Sequence, residues 1–360
     1  MRTARFDALT GFRALAATLV FIYHNRKYWR GDLHPELLRF VNEFHIGVAL
    51  FFVLSGFLLA YTYGDKPMTS ISAYTKYLVV RIARIFPLYW LILTFYYLDP
   101  KFGNGNFSAL TYTLAHGFSN LWNLKGIAQA WSLSVEFTFY LLLPLLCFIS
   151  NKRFIYLIAS LFLIGVLFWV TGEIWYQING NPMQFFRPIK FLLGSTFAGR
   201  WSEFLAGIIL AKALRNKAEW FMFWQIPNKT AIGFLGIAIT TYSIGFFQED
   251  IFNHGTDQSV GYLLHMLILP IFIIFALAGL IDEKTFVGDF FSNKFLVLLG
   301  NASFAFYLIH ISYVNVRLRW IWVGPDRNFV ALWAFSIILY WFFEKPVYDF
   351  IRLKIGKSKS

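Results

Sequence analysis

Two ionisable side chains, Arg13 and His24, stand eleven residues apart at the ends of a run that is otherwise apolar but for Thr18. In a helix each residue turns by about 100°, so eleven steps return to within about 20° of the starting direction and both side chains share a face. At about 1.5 Å per residue they lie about 16 Å apart along the axis, around half the thickness of a bilayer's hydrocarbon core. A guanidinium grips phosphate oxygens in pairs, and a neutral imidazole takes up a proton. Ionisable groups at membrane depth are costly to desolvate and usually face a polar cavity or pathway. One helix thus offers an anion-binding group toward one side of a membrane and a proton-transfer group toward the other.

Further polar residues interrupt later apolar runs. Arg81 and Arg84, three apart in Arg-Ile-Ala-Arg-Ile-Phe-Pro-Leu-Tyr-Trp, share a helix face and with Arg13 form a basic mouth for a phosphorylated ligand. Read alone, they are also ordinary cationic anchors at a membrane boundary. Glu136 closes the stretch Trp-Ser-Leu-Ser-Val-Glu that begins at Trp131. It is expected at the depth of His24, where a carboxylate orients an imidazole base, with Ser132 on the same face to hydrogen-bond it. His310, with Tyr307 one turn earlier, reads either as a core histidine or as a residue that orients substrate. Arg200 and Glu203 have the spacing of a structural ion pair. Cys147 reads as a small buried hydrophobe. His34, His45, His116, His254 and His265 lack ligand-like spacing, so no metal site is expected.

The elements that carry these residues follow from composition. The chain has 360 residues, 58% of them hydrophobic and only 14% charged. Soluble domains carry about 25% charged residues, so the chain reads as an all-α, polytopic transmembrane bundle, an integral membrane protein with the lipid bilayer as its surroundings. The net charge of +13 punctuates apolar segments rather than gathering in a patch, which argues against nucleic acid. Apolar runs give ten spans, near 8–24, 46–63, 77–98, 131–149, 154–171, 201–214, 230–247, 259–281, 295–316 and 329–350. The alternate connections that include both termini hold more Lys and Arg, among them Arg2, Arg5, Lys66, Arg153 and Lys359. Both termini are therefore expected to be cytoplasmic. Residues 1–355 read as a single transmembrane domain and 356–360 as a short basic tail. The apolar start is expected to be retained, since Arg13 interrupts it and no small-residue cleavage pattern follows. In the long connection 99–130, residues 107–122 read as an interfacial helix.

The motifs in sequence resemble those of acyltransferase family 3. They comprise Gly11-Phe12-Arg13 through Tyr23-His24, then Gly47-Val-Ala-Leu-Phe-Phe-Val-Leu-Ser-Gly-Phe-Leu58, then Arg81-Ile-Ala-Arg84. There follow Trp131 to Glu136, Arg200-Trp-Ser-Glu203, Tyr307-Leu-Ile-His310 and Glu344-Lys-Pro346. Each motif is weak, but the series runs nearly the whole chain in order. Thr10 and Ala49 stand where the family frequently has Asp. The resemblance implies transfer of an acyl group, usually acetyl, from cytoplasmic acyl-coenzyme A to a sugar hydroxyl beyond the membrane. It implies that Arg13, Arg81 and Arg84 contact the donor's nucleotide and phosphates and that His24 acts on the acceptor hydroxyl. The donor is thus acetyl-CoA, the acceptor a cell-surface or lipid-linked carbohydrate such as a polysaccharide or lipopolysaccharide, and the form the stand-alone type.

A carrier or flippase that uses the polar face of the first helix is a second reading, but carriers often show inverted repeats and none is evident. A scaffold role leaves Arg13, His24 and Glu136 with no reason to bear their desolvation cost.

Overall fold

The computed structural model describes residues 6–28, 31–64, 68, 70–152, 154–250, 253–321 and 325–357. Arg2, Arg5, Lys66, Arg153 and Lys359 of the charge count lie outside the described residues, as do positions 358–360 of the expected tail. Among the described residues the chain is helical, and its strand-like pairing is one isolated bridge between Ser119 and Phe185.

A helix covers each of the ten apolar runs. Six of these helical stretches are long and apolar enough to cross a membrane: Pro35–Tyr63, Ile71–Leu98, Ala128–Cys147, Ile158–Asn179, Ser259–Asp282 and Arg327–Ile355. The pair Phe286–Ser292 and Lys294–Ile309, bent by 61°, makes a seventh if counted as one span. The ninth run ends sooner than expected, at Ile309, and a separate helix, Tyr313–Ile321, follows His310. The last helix continues through Gly356 to Lys357. In place of one interfacial helix over 107–122 there is a short helix, Ala109–Tyr112, then a 3-10 turn, Ala115–Phe118. Between them Leu114 takes a left-handed φ of 62°, a conformation that a helix cannot propagate.

The chain divides into two compact units, Met1–Tyr63 with Ser202–Ser303, and Gly64–Trp201 with Phe304–Ser360. In the first, helix Asp7–Asn25 opens with Asp7, whose charge suits the positive end of the helix dipole. It packs against Gly47–Tyr63 and Phe286–Ser292. Close approach depends on glycine: a Cβ at Gly47 would lie 2.4 Å from the Ala16 carbonyl oxygen, and one at Gly11 2.0 Å from that of Phe291. Small residues let membrane helices meet at backbone distance, where van der Waals packing replaces the missing hydrophobic drive. The run 259–282 contains a π-helical turn, Leu264–Ile268.

In the second unit, Ser70 caps helix Ile71–Leu98 by accepting from the Ala73 amide at 3.2 Å. This helix packs on Trp131–Lys152, where the Tyr77 hydroxyl donates to the Tyr140 carbonyl at 3.1 Å and Phe86 meets Phe137 edge-on at 5.1 Å. The connection 99–130 pairs with the segment that follows helix Phe154–Asn179. The Phe186 amide donates to the Phe118 carbonyl at 2.9 Å, and Asn120 Nδ2 donates to Gln184 Oε1 at 2.7 Å. Helix Lys345–Lys357 also packs on Ile71–Leu98, after a second π-helical turn at Tyr340–Glu344.

Candidate functional site

In the first unit, Arg13 and His24 lie on the one unbroken helix Asp7–Asn25. Arg13 Nε donates to Ser303 Oγ at 3.3 Å, and its guanidinium carbon lies 5.8 Å from the centre of the Phe51 ring. His24 is half-buried in the last turn, its ring 4.6 Å from that of Tyr23. The Arg26 Nη1 atom donates to the Tyr23 carbonyl at 2.7 Å, tying down the turn.

Around this end of the helix the fold gathers imidazoles and carboxylates that are scattered in sequence. The Tyr23 hydroxyl lies 2.8 Å from His254 Nε2. The His254 ring lies 4.9 Å from that of His45, which in turn is parallel to that of His265 at 5.9 Å. Each of these last two imidazoles has a carboxylate beside it: Glu43 Oε2 at 3.6 Å from His45 Nδ1, and Glu203 Oε1 at 3.2 Å from His265 Nε2. Glu43 is 0% and Glu203 1% exposed. Buried carboxylates persist only where donors satisfy them. Glu43 Oε1 accepts from Gln248 Nε2 at 2.6 Å and from the Gly255 amide at 2.7 Å. His265 sits on the π-helical turn, a local widening that recurs at functional sites.

The remaining expected residues, apart from Glu203, belong to the second unit. Arg81 and Arg84 lie one turn apart on Ile71–Leu98, and Arg84 Nη1 donates to Glu344 Oε1 in a salt bridge. Glu344 is buried on the second π-helical turn. Glu136 accepts a hydrogen bond from the Tyr140 hydroxyl at 2.7 Å, on its own helix. Ser132 does not take the partner expected for it. Its hydroxyl pairs with that of Tyr307 at 2.7 Å and donates to the Gln129 carbonyl at 3.0 Å, because Gln129 Nε2 docks on the Tyr307 and Leu308 carbonyls at 2.8 and 2.6 Å and draws that helix end in. His310 is 1% exposed. Its Nδ1 donates to the Tyr307 carbonyl at 2.7 Å, which fixes the tautomer, since a carbonyl only accepts. Asn315 Nδ2 donates to the His310 carbonyl. The Arg200 guanidinium lies 5.8 Å from the Trp131 ring. Glu203, expected beside Arg200, has His265 as a partner.

Two observations complete the polar inventory. His116, wholly buried in the connection 99–130, is pushed down by burial to a pKa of about 4 and is neutral at ordinary pH. Among the described residues no group of three His, Cys, Asp or Glu side chains is placed to hold a metal ion. Sequence reading missed Glu43, His45, His254 and His265 because it sought ligand spacing. The signal was depth: His265 interrupts a long apolar run, and Glu43 and His45 immediately precede one.

Comparison with known proteins agrees with these motifs. A family described as an acyltransferase domain matches residues 6–345. Acyltransferase MdmB of Streptomyces mycarofaciens is 27% identical over 354 residues, covering 92% of this chain and 84% of the relative. O-acetyltransferase OatA of Staphylococcus aureus is 24% identical over 344 residues, covering 85% of this chain and 51% of the relative. A further relative, from Staphylococcus aureus strain COL, is 23% identical over 97% of this chain, which spans 57% of its length. The chain therefore spans little more than half the length of these staphylococcal relatives. No solved structure matches it.

Proposed function

Since the chain belongs to acyltransferase family 3, we propose that it transfers an acyl group from cytoplasmic acyl-coenzyme A to a hydroxyl of a cell-surface or lipid-linked carbohydrate. The name of OatA supports acetyl as the group and oxygen as the acceptor atom. The observation that carries the reading is a single helix, Asp7–Asn25, with a guanidinium and an imidazole eleven residues apart and the long apolar stretch between them. In this reading ten helices span the cytoplasmic membrane with both termini inside. Arg13 then faces the cytoplasmic half and His24 the far half.

Arg13, Arg81 and Arg84 hold the donor's phosphates, and its extended pantetheine arm reaches toward the far side. A neutral His24 takes the acceptor hydroxyl proton as the oxygen attacks the thioester carbonyl. The C–O bond forms, the C–S bond breaks, and coenzyme A leaves with the electron pair as a thiolate. Glu136 is the proposed orienting carboxylate, and Ser132, Tyr307, His310, Arg200 and Glu203 are the proposed substrate-positioning or supporting residues. The Ser132–Tyr307 hydroxyl pair, with His310 bonded to the Tyr307 backbone, suits that support.

The test is analysis of surface and lipid-linked glycans for ester-linked acyl groups in cells with and without the gene. An ester present only with the gene is expected. An unchanged ester content, or transport of a conjugate without thioester consumption, would favour a carrier instead.

A further inference from the structure

The cluster at the His24 end contains a linkage that the proposed chemistry does not use. Glu43 is wholly enclosed, yet its Oε1 is bonded to the backbone amide of Gly255 and to the side chain of Gln248, which also donates to the Arg39 carbonyl at 3.0 Å. These bonds fasten Gln248 and Gly255 onto the start of the second long apolar stretch. The turn that begins at Gly255 is capped by the His254 amide, which donates to Asp257 Oδ2 at 3.2 Å. Gly255 is held so closely that a Cβ there would lie 1.8 Å from the Ile244 carbonyl oxygen. His254, immediately before Gly255, has its Nε2 2.8 Å from the Tyr23 hydroxyl. Tyr23 immediately precedes His24, and the two rings touch edge to face at 4.6 Å.

We propose that Glu43, His254 and Tyr23 act as a chain of positioning residues for the transfer: Glu43 fixes the turn that carries His254, His254 fixes the Tyr23 ring, and the Tyr23 ring holds the imidazole of His24 in its productive rotamer. This rests on the reading of His24 as the base. The physical reason is that a helix's last turn frays, because its carbonyls lack intrahelical donors, and a base misplaced by 1 Å loses most of its effect. The cationic side of the turn is set separately by Arg26, which lies over Tyr23 at 4.2 Å and bonds its carbonyl. His45, Asp257 and Arg26 are the other ionisable groups near this linkage.

The experiment uses membrane vesicles from the native cells carrying the full-length chain, supplied with radiolabelled acetyl-CoA. Label incorporated into glycan is normalised to the amount of folded chain in each variant. Tyr23→Phe keeps the ring and removes only the hydroxyl; His254→Asn and Glu43→Gln shorten or neutralise the other links. Each single variant is expected to lower kcat by ~10–100-fold with less than ~3-fold change in the donor KM. The double variant Tyr23→Phe/His254→Asn is expected to be no worse than the poorer single one, because the two side chains act through one bond. Unchanged kcat in Tyr23→Phe, or additive losses in the double variant, would overturn the chain of positioning. Loss of stability alone would show as less folded chain with normal kcat, and would overturn it too. Full activity in His24→Ala would remove the underlying reading itself, a different outcome from failure of the Tyr23 variant.

Discussion

The polar cluster at the His24 end of the first unit and the Arg84 site of the second hold buried charge by different pairings. The first pairs imidazoles with carboxylates: His45 with Glu43, His265 with Glu203. The second pairs a guanidinium with a carboxylate, Arg84 with Glu344. Each has a π-helical turn bearing one of these groups, His265 in the first and Glu344 in the second. An imidazole gives up its proton near neutral pH, whereas a guanidinium stays charged throughout. The imidazole pairs of the first unit can therefore change their protonation near neutral pH, whereas the Arg84 guanidinium of the second keeps a permanent positive charge.

Removing one carboxylate from each unit sharpens this contrast. Glu344→Gln leaves the Arg84 guanidinium without its buried counter-charge, and a broken buried ion pair costs about 3–5 kcal/mol. Glu203→Gln leaves an imidazole that can simply remain neutral. Its expected cost is about 1–3 kcal/mol, that of one unsatisfied buried polar group. Thermal unfolding in detergent ranks the two, and equal losses would break the distinction. The smallest effect is expected at the rim of the second unit. There Arg317 Nε donates to Asp99 Oδ2 at 3.1 Å and holds that carboxyl below its ordinary range. Because the folded value is the lower one, the stabilisation is complete above the usual Asp pKa of about 3.9 and is lost as pH falls through the lowered value. The melting difference between the protein and Asp99→Asn should be small at pH 6 and vanish on acidification. A difference that grows with acid would contradict the assignment.

The helical architecture was legible because membrane depth must be filled with apolar residues, and the apolar runs are helical among the described residues, six of them in stretches long and apolar enough to cross a membrane. Where the reading failed, a local side-chain bond had overruled periodicity. His310 lies where the ninth helix stops, its carbonyl taken by Asn315 and its ring by the Tyr307 carbonyl. The connection 99–130 turns through a left-handed Leu114 and so does not form one interfacial helix. At the site, Arg13 and His24 were visible because they share one helix and helical spacing is read directly. Glu43, His45, His254 and His265 were not, because they come from three separate stretches that only tertiary packing assembles. Ser132 illustrates the same limit. Its spacing pointed to Glu136 four residues on, but Tyr307, distant in sequence, supplies the bond.

The claim on which the account turns is that His24 is the base for acyl transfer from a coenzyme A thioester. Its most direct test is acetyl-CoA turnover by purified full-length protein in detergent, with solubilised native glycan as acceptor, for wild type and His24→Ala. The account expects His24→Ala to fold normally, retain donor binding and lose at least ~10²-fold in rate, the scale of a positioned acid–base group. A folded His24→Ala protein that turns over acetyl-CoA at the wild-type rate would contradict it.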